Sequence, residues 1–154
     1  MGELNVRVGS GVIILNQNNE VLLGHRCKKK ADTGGIVGRD TWSLPGGKQE
    51  FDETILECII REAKEECGLD IFNPQLLQVF DDVEPDRHFL TVLFITREFS
   101  GEPKVIEIDK EDDWRWFNIN SLPENLYEPS RKCLEFYKSV FSNNGRKRKR
   151  EEIW

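Results

Sequence analysis

An α/β domain, with a mixed β-sheet held between helices, is the architecture that this sequence predicts. The chain has 154 residues, which suits one domain of ordinary size. Stretches rich in Val and Ile, typical of strands, are interspersed with two segments of helical periodicity. Two of the strand patterns follow each other without a helix between them, which favours a mixed sheet.

The N-terminal part of the chain is predicted to form two strands and a loop. Residues 6–15 are rich in Val and Ile, residues 16–19 form a polar turn, and residues 20–26 form the returning strand. Residues 27–40 are polar and contain three glycines, which favours a mobile loop that acts as a lid or rim. Residues 41–44 then form a short extended segment.

A helix is predicted after the Pro45-Gly46-Gly47 turn. Asp52 is a suitable N-cap residue, and Gly68 is suited to end the helix in a left-handed conformation. Apolar residues recur at helical spacing beneath an acidic face. These residues are Ile55, Ile59, Ile60 and Ala63.

The C-terminal half is predicted to contribute three strands and a second helix. Residues 76–80 and 89–99 alternate apolar with polar or branched residues, as paired strands do, and residues 100–103 form a turn. Residues 113–117 form a further short strand. Residues 130–141 carry apolar side chains at helical spacing, which predicts a helix packed on the sheet.

Composition and charge limit the partners that we expect. The net charge is −6, and five of the 22 basic residues lie in the run Arg146–Arg150, which leaves an acidic body. An acidic body does not favour sequence-independent binding of nucleic acid. No apolar run is long enough to span a membrane. The four cysteines lack the spacing of a zinc site, which favours free thiols in a reducing cytoplasm.

The domain is predicted to occupy residues 1–142, and residues 143–154 are predicted to form a basic, disordered tail. Three interpretations of the basic run at residues 146–150 stay open. It is a nuclear address if the source is eukaryotic, an RNA-contacting arm, or a solubilising end.

Three carboxylates on the predicted helix carry the strongest functional signal. Glu62, Glu65 and Glu66 stand at i, i+3 and i+4, so a helix places them on one face. Like charges at this spacing repel by roughly 0.2–0.5 kcal/mol per pair, so the helix gains nothing from them. A divalent cation such as Mg²⁺ turns that repulsion into a binding site, because it takes oxygen ligands and substrate phosphates.

These carboxylates belong to a longer pattern of fixed spacing. The segment from Gly47 to Leu69 matches every fixed letter of G-x5-E-x7-R-E-U-x-E-E-x-G-U, in which U is a bulky apolar residue. Ala63 departs from the pattern, because it is small for a U position. The segment therefore resembles the signature box of Nudix hydrolases. The resemblance implies a Nudix-type α/β/α sandwich. It also implies that Mg²⁺, or Mn²⁺ in its place, is bound by a carbonyl of the Gly46-Gly47 pair and by Glu62, Glu65 and Glu66.

Candidate general bases come from the box and from a later acidic stretch. Glu62 and Glu65 are the candidates within the box. The resemblance to Nudix hydrolases implies that a further glutamate can come from residues 107–113. Glu111 is the preferred candidate there, and Glu107 is the second.

Other charged residues of the box region are given supporting roles. Lys48 matches a lysine of similar enzymes that assists catalysis near the metal. Arg61 is expected to orient glutamates such as Glu53 rather than to contact substrate. Glu53 itself is interpreted as structural.

The resemblance extends to MutT-like nucleoside triphosphate pyrophosphohydrolases through short stretches at residues 16–20, 45–48 and 85–88. It implies an arginine in contact with nucleotide and a base pocket at the strand end before the glycine pair. An aromatic side chain beside the pocket is a candidate to stack on a base, and an asparagine near residue 125 is a candidate to recognise the purine. The substrate-binding candidates are Arg26, Trp42, Ser43, Leu44 and Asn125.

The expected function is Mg²⁺-dependent cleavage of a (deoxy)nucleoside triphosphate to the monophosphate and pyrophosphate. An oxidised nucleotide such as 8-oxo-dGTP is among the expected substrates. Two alternatives stay open: a pyrophosphatase of ADP-ribose or another nucleoside diphosphate derivative, and a non-catalytic module that binds nucleotides. We expect a small-molecule nucleotide as partner and no membrane. The acidic body disfavours nucleic acid as a partner, and the basic run at residues 146–150 leaves that partner open. The sequence does not choose between a monomer and a homodimer.

Overall fold

A computed structural model describes residues 4–27 and 38–141 of the chain. Two interpretations lie wholly or largely outside these residues and stay predictions: the lid or rim at residues 27–40 and the disordered tail at residues 143–154. The described part contains nine strands and two helices. Their bounds are β1 (Val6–Ile14), β2 (Glu20–Arg26), β3 (Trp42–Ser43), β4 (Gly46–Lys48), α1 (Ile55–Cys67), β5 (Asp70–Phe72), β6 (Gln75–Glu84), β7 (Arg87–Thr96), β8 (Glu98–Ser100), β9 (Glu111–Asn118) and α2 (Glu128–Val140).

Pairing arranges the described strands in three sheets. The largest has the order β4-β1-β7-β6, in which β1 runs parallel to β7 and the other pairs are antiparallel. The second has the order β3-β2-β9, and β5 pairs with β8 in the smallest. The largest sheet is therefore mixed, as predicted.

Alternate residues of β1 face the two helices, which creates a layer on each side of the sheet. Val12 and Ile14 share a buried cluster with Ile59 of α1. Ile13 belongs to a second cluster with Leu134 of α2. These five side chains are fully buried, and burial of each contributes about 1.5–3 kcal/mol. The predicted α/β/α sandwich is thereby confirmed.

Helix α1 begins at Ile55, and its N-cap is Thr54 rather than the predicted Asp52. Thr54 and Glu57 form a capping box, in which the Thr54 hydroxyl accepts from the Glu57 amide at 3.1 Å and the Glu57 carboxylate accepts from the Thr54 amide at 2.8 Å. Asp52 lies in the preceding turn with a φ of 71°, so it is outside the helix. The predicted end at Gly68 is confirmed, with a φ of 80°.

The strands of the C-terminal half are longer and more interrupted than predicted. The strand expected at residues 76–80 extends over all of β6, and the one expected at residues 89–99 is divided into β7 and β8. Thr96 stabilises the division, because its hydroxyl donates to a β5 carbonyl at 2.6 Å and accepts from the Glu98 amide at 3.1 Å. β9 begins earlier than expected, at Glu111, which places this glutamate at a strand end.

Helix α2 covers the side of the sheet opposite to α1. It was expected at residues 130–141 and spans Glu128–Val140. Pro129 lies in its first turn, where the missing amide removes no intrahelical hydrogen bond. In the described part of the chain, no helix is long and apolar enough to cross a bilayer.

Candidate metal and substrate site

A cleft of ≈ 1760 Å³ runs from the acidic side of α1 to the N-terminal end of α2. It exceeds the roughly 300–1,000 Å³ of ordinary small-ligand pockets, so an extended ligand fits. Most residues predicted to act in the site line this cleft. They are Arg26, Ser43, Leu44, Gly46, Gly47, Lys48, Glu62, Glu65, Glu66 and Glu111.

Three carboxylates from two distant parts of the chain converge beside the acidic end of the cleft, which Glu66 and Glu111 line. Glu66 of α1, Glu107 of the loop before β9 and Glu111 of β9 each place an oxygen within 4.8 Å of the others. Glu66 and Glu111 are only 8% and 4% exposed. One oxygen of Glu107 and one of Glu111 are buried without a hydrogen bond from any described residue. Such groups cost free energy unless a ligand pairs with them.

Burial raises the pKa values of the Glu66 and Glu111 carboxyl groups. Desolvation is the main cause for Glu66, whose pKa lies well above its usual value, and repulsion from Glu111 adds to it. Desolvation also raises the pKa of Glu111 to about 7, against the attraction of Arg26 and with the help of repulsion from Glu107. A divalent cation would reverse these effects, because a nearby opposite charge favours the ionised carboxylate.

The glycine pair before α1 lets the backbone approach this cluster closely. The Gly46 amide donates a hydrogen bond to Oε1 of Glu66 at 2.9 Å. A Cβ at Gly46 would overlap the carbonyl oxygen of Ser10, and a Cβ at Gly47 would overlap the carboxylate of Glu62. Neither position accepts a side chain unless its neighbours move. The expected role of a glycine carbonyl as a metal ligand stays a prediction.

Arg61 holds the other carboxylates of the box in place. Its guanidinium donates to Glu53 at 2.6 and 3.0 Å, to Glu62 at 2.7 Å and to Glu65 at 3.1 Å. The hydrogen bond from Arg61 is the main cause that lowers the pKa of Glu53 to about 2. Burial is the main influence on Glu62 and raises its pKa despite Arg61. The Glu65 side chain is 50% exposed, so it lies at the rim of the site.

Two cationic side chains of the cleft come from strand ends. Arg26, at the end of β2, lies over the ring of Tyr127 at 4.4 Å and pairs in register with Glu111 of β9. Lys48 ends β4 and is exposed to the cleft. Both positions suit an anionic substrate, and the roles predicted for the two residues stay predictions.

The structure separates the predicted base-pocket residues into two groups. Ser43 and Leu44 line the cleft, and the Leu44 amide donates to the Ser130 hydroxyl at 2.9 Å. Trp42 and Asn125 are not part of the lining formed by the described residues. The cleft therefore brings together only part of the predicted pocket.

Trp42 and Asn125 have other contacts. The Trp42 ring packs 4.9 Å from the rings of both His25 and Phe117. Successive strand residues face opposite sides, so the neighbour of a cleft residue can point into the core. The Asn125 amide group donates to the carbonyl of Asp40 at 2.8 Å.

The fold and the site have a counterpart among known proteins. A profile of the NUDIX domain matches residues 5–137. This chain belongs to the Nudix family. Its Nudix box is the segment that brings Gly47, Arg61 and Glu66 to the cleft.

Three similar proteins show how this Nudix chain relates to others. The ADP-ribose pyrophosphatase of Methanocaldococcus jannaschii is 32% identical over 75% of this chain, which spans 64% of that protein. The 8-oxo-dGTP diphosphatase of Proteus vulgaris is 32% identical over 66% of this chain and 85% of its own length. The crystal structure of the MutT NUDIX hydrolase from Burkholderia pseudomallei matches with a TM-score of 0.75 at 32% identity, over 85% of this chain and 97% of that one. These likenesses confirm the predicted MutT-like Nudix fold.

The residues of this Nudix site fit a divalent metal ion. The donors are carboxylate oxygens, which Mg²⁺ and Mn²⁺ accept as ligands, and two of them are buried without a partner among the described residues. The observed cluster differs from the predicted set of Glu62, Glu65 and Glu66, because it combines Glu66 with Glu107 and Glu111. The metal roles predicted for Glu62 and Glu65 stay predictions.

Sequence reasoning missed several residues that line the Nudix cleft. Gly9 and Gly11 are two residues apart in a strand rich in Val, so both lie on the same face of that strand. A glycine within a strand often marks a place where a ligand or another backbone comes close, and this signal was available in the sequence. The other missed residues carried no signal, because their position depends on how distant strands pair. The missed residues include Gly9, Gly11, Asp82, Thr91 and Tyr127.

Proposed function

We propose that this protein is a Mg²⁺-dependent Nudix pyrophosphohydrolase that cleaves a (deoxy)nucleoside triphosphate to the monophosphate and pyrophosphate. The supporting observation is the convergence of Glu66, Glu107 and Glu111 within 4.8 Å, beside a ≈ 1760 Å³ cleft that Glu66 and Glu111 line. That volume accommodates a nucleotide with its phosphate chain. Oxidised guanine nucleotides such as 8-oxo-dGTP are among the proposed substrates.

The metal is assigned to the centre of the acidic cluster. Glu66 and Glu107 would hold Mg²⁺, or Mn²⁺ in its place, with Glu62 beside them, since Mg²⁺ is usually bound by one or two carboxylates together with substrate phosphates. A cation held there would neutralise charge at the anhydride. The Gly46 amide keeps Glu66 oriented, and Arg61 does the same for Glu62.

Glu111 is assigned as the general base. Its Oε1 is buried and accepts no hydrogen bond from the described residues. A bound cation would lower the metal-free pKa of about 7, so the carboxylate would be ionised and could accept a proton from water at this oxygen. Glu62 and Glu65 remain as alternatives, but Arg61 already donates a hydrogen bond to each of them.

Arg26 and Lys48 are assigned to bind the phosphate chain of the substrate through their positive charges. Contact with the Tyr127 ring at 4.4 Å restrains the Arg26 guanidinium, so less side-chain entropy is lost when a phosphate binds. Lys48 follows the glycine pair directly and lines the same cleft. It is assigned to stabilisation of the charge that develops during cleavage.

The test is a panel of nucleotides with assays that distinguish pyrophosphate from phosphate. Purified full-length protein is incubated with dGTP, 8-oxo-dGTP, dATP, dCTP and ADP-ribose, each with Mg²⁺, with Mn²⁺ or with excess EDTA. Pyrophosphate release from at least one triphosphate, abolished by EDTA, is the expected result. No turnover of any compound would refute the proposal.

The alternative substrate ADP-ribose has support of its own. One relative is named for that activity, and the same acidic cluster would serve both reactions, because each breaks a pyrophosphate bond. Release of AMP and ribose 5-phosphate without triphosphate turnover would favour this alternative. Nucleotide binding without any turnover would favour the non-catalytic module.

We also propose that the protein is cytoplasmic, acts on small nucleotides and is a monomer or a homodimer. The net charge of −6 disfavours association with nucleic acid. Light scattering after size-exclusion chromatography measures the oligomeric state. Salt-sensitive retention on immobilised RNA would contradict the expectation that nucleic acid is not a partner.

A further inference from the structure

A flat area of backbone lies on the side of the large sheet that faces α2. Gly9 and Gly11 occupy the β1 positions that precede Ile13 and Leu15 on the same face, and the latter two pack in the cluster of α2. A Cβ at Gly11 would meet only the Pro45 carbonyl oxygen, at 3.9 Å, so the space above this glycine is open. The two glycines therefore form the floor of this part of the cleft, and the Phe89 ring borders the floor, since a Cβ at Gly9 would meet that ring at 3.6 Å.

Two polar residues stand beside this floor. Thr91 of β7 pairs with Gly9 on one side and with Phe80 of β6 on the other. Asp82 is the second residue after Phe80, so its side chain lies on the same face of the sheet as Thr91. Both polar residues line the cleft.

Hydrogen bonds hold both oxygens of the Asp82 carboxylate. The Thr91 hydroxyl donates to one oxygen at 2.6 Å, and the Lys132 ammonium group of α2 donates to the other at 2.7 Å. The Asp82 side chain is 13% exposed. An ionised carboxylate has about four lone-pair sites, so each oxygen keeps the capacity to accept from a ligand in the cleft.

We infer that Asp82 recognises the base of the substrate and selects guanine-type bases. The inference rests on the proposed nucleotide pyrophosphohydrolase and adds its base specificity. An ionised carboxylate only accepts hydrogen bonds, and the pairing edge of guanine presents two adjacent donors, N1–H and the N2 amino group. In adenine and cytosine the amino group is next to a ring nitrogen that accepts, so two lone pairs would face each other.

The Asp82 carboxylate is not expected to distinguish oxidised guanine from unmodified guanine. Oxidation at C8 leaves N1–H and the N2 amino group unchanged. Asp82 is therefore expected to bind dGTP and 8-oxo-dGTP equally well, and any preference between them comes from another part of the cleft.

The position of the floor suits a nucleotide that lies across β1. Lys48, Gly9 and Thr91 follow one another on adjacent strands, so Thr91 lies about 10 Å from Lys48 at about 4.8 Å per strand. A base beside Asp82 then has its sugar above the glycine floor and its phosphates towards Lys48.

Selectivity can be measured with and without turnover. The first measure is kcat/KM for dGTP and dATP with Mg²⁺, and the second is the Kd for dGMP and dAMP in EDTA. The wild-type protein should prefer guanine by about 30-fold or more in both, because a ring nitrogen that accepts would face the carboxylate when the wrong base binds. Asp82→Asn exchanges an acceptor for a donor, so the preference should fall to within about 3-fold.

Asp81→Asn is the matched control. This neighbouring carboxylate is 64% exposed and contacts His88 at 2.8 Å. It lies outside the described lining of the cleft. The variant should keep the guanine preference of the wild-type protein.

A pair of Thr91 variants tests the network without removal of a charge. Thr91→Val deletes the hydroxyl that orients Asp82 and keeps the shape of the side chain, so about 5–10-fold of the preference should be lost. Thr91→Ser keeps the hydroxyl and should keep the preference. This pair decides the question if Asp82→Asn does not fold.

Each outcome either supports or overturns the inference. An unchanged preference in Asp82→Asn, equal preferences in the two Thr91 variants, an equal loss in Asp81→Asn, or no guanine preference in the wild-type protein would overturn it. Selective binding of dGMP, lost in Asp82→Asn, without pyrophosphate release from any triphosphate would keep Asp82 as the recognition residue and reject the proposed reaction.

Discussion

The backbone amide of Gly46 donates a hydrogen bond of 2.9 Å to the carboxylate of Glu66, twenty residues later in the chain. This bond ties the glycine turn to the acidic face of α1. Burial, and then repulsion from Glu111, raise the pKa of Glu66. The carboxylate is thus held in place, shielded from water and short of positive charge, which a metal ion would supply.

Replacement of Glu66 by Gln should remove most of the turnover. The Gln carbonyl can still accept from Gly46, but the negative charge is lost, and metal-assisted charge stabilisation is worth several kcal/mol. We expect kcat to fall by roughly several hundred-fold and Mg²⁺ no longer to raise Tm. Pyrophosphate release and thermal melts measure the two effects. Glu124→Gln, at an exposed position, is the control and should keep normal turnover. Near-normal turnover in Glu66→Gln would show that Glu66 is not a metal ligand.

Replacement of Glu111 by Gln should separate proton transfer from metal binding. Loss of a general base lowers kcat by about 10²–10⁴-fold. The Tm increase caused by Mg²⁺ should persist, because Glu66 and Glu107 remain. If the increase disappears together with the turnover, Glu111 is a metal ligand and not the base.

Without metal, the free energy of unfolding should fall as the pH rises from about 4.5 to about 7. Burial raises the pKa of Glu111 from 4.5 to about 7 in the folded state, so the folded protein binds this proton more tightly than the unfolded chain. Proton binding at Glu111 therefore stabilises the folded state at low pH, and this stabilisation is lost as Glu111 ionises with rising pH. The loss is on the order of 3 kcal/mol above pH 7.

Thermal melts in EDTA across this pH range measure the effect. The Tm of Glu111→Gln should depend less on pH than that of the wild-type protein. Mg²⁺ should raise the wild-type Tm more at high pH than at low pH, because its ligands must be ionised. A wild-type slope equal to that of Glu111→Gln would contradict the assigned shift.

Replacement of Thr54 by Ala should destabilise the protein without loss of activity. Removal of an N-cap hydroxyl costs about 1 kcal/mol, which lowers Tm by roughly 2–4 °C in a chain of this size. Asp52→Asn is the control, because Asn tolerates the positive φ of this position and the residue lies outside the helix. Equal destabilisation in both variants would favour Asp52 as the cap.

Local patterns in the sequence were sufficient for much of the metal end of the site. The box spacing predicts α1, its end at Gly68 and the arrival of Glu66 beside the glycine pair, because helix geometry and one tight turn determine these positions. The capping box of Thr54 and Glu57 was equally visible as T-x-x-E and was overlooked in favour of Asp52.

The remaining parts of the site depend on strand pairing that no local pattern reveals. Glu107 and Glu111 come from an acidic stretch, and their approach to Glu66 depends on the register of β2 with β9, which shifts between His25 and Arg26. The predicted place of Trp42 beside the base pocket fails for the same reason. The side of the sheet on which its ring lies depends on how β3 pairs with β2, and not on its distance in sequence from the glycine pair.

Adjacent residues of β1 are directed to opposite sides of the sheet. Ser10 contacts Cys58 of α1 at 3.3 Å, whereas Gly9 and Gly11 lie on the side of β1 that faces α2. In the proposed enzyme, substitutions around those two glycines would therefore alter which nucleotides are accepted, while the carboxylates of α1 and of the β9 region are left in place.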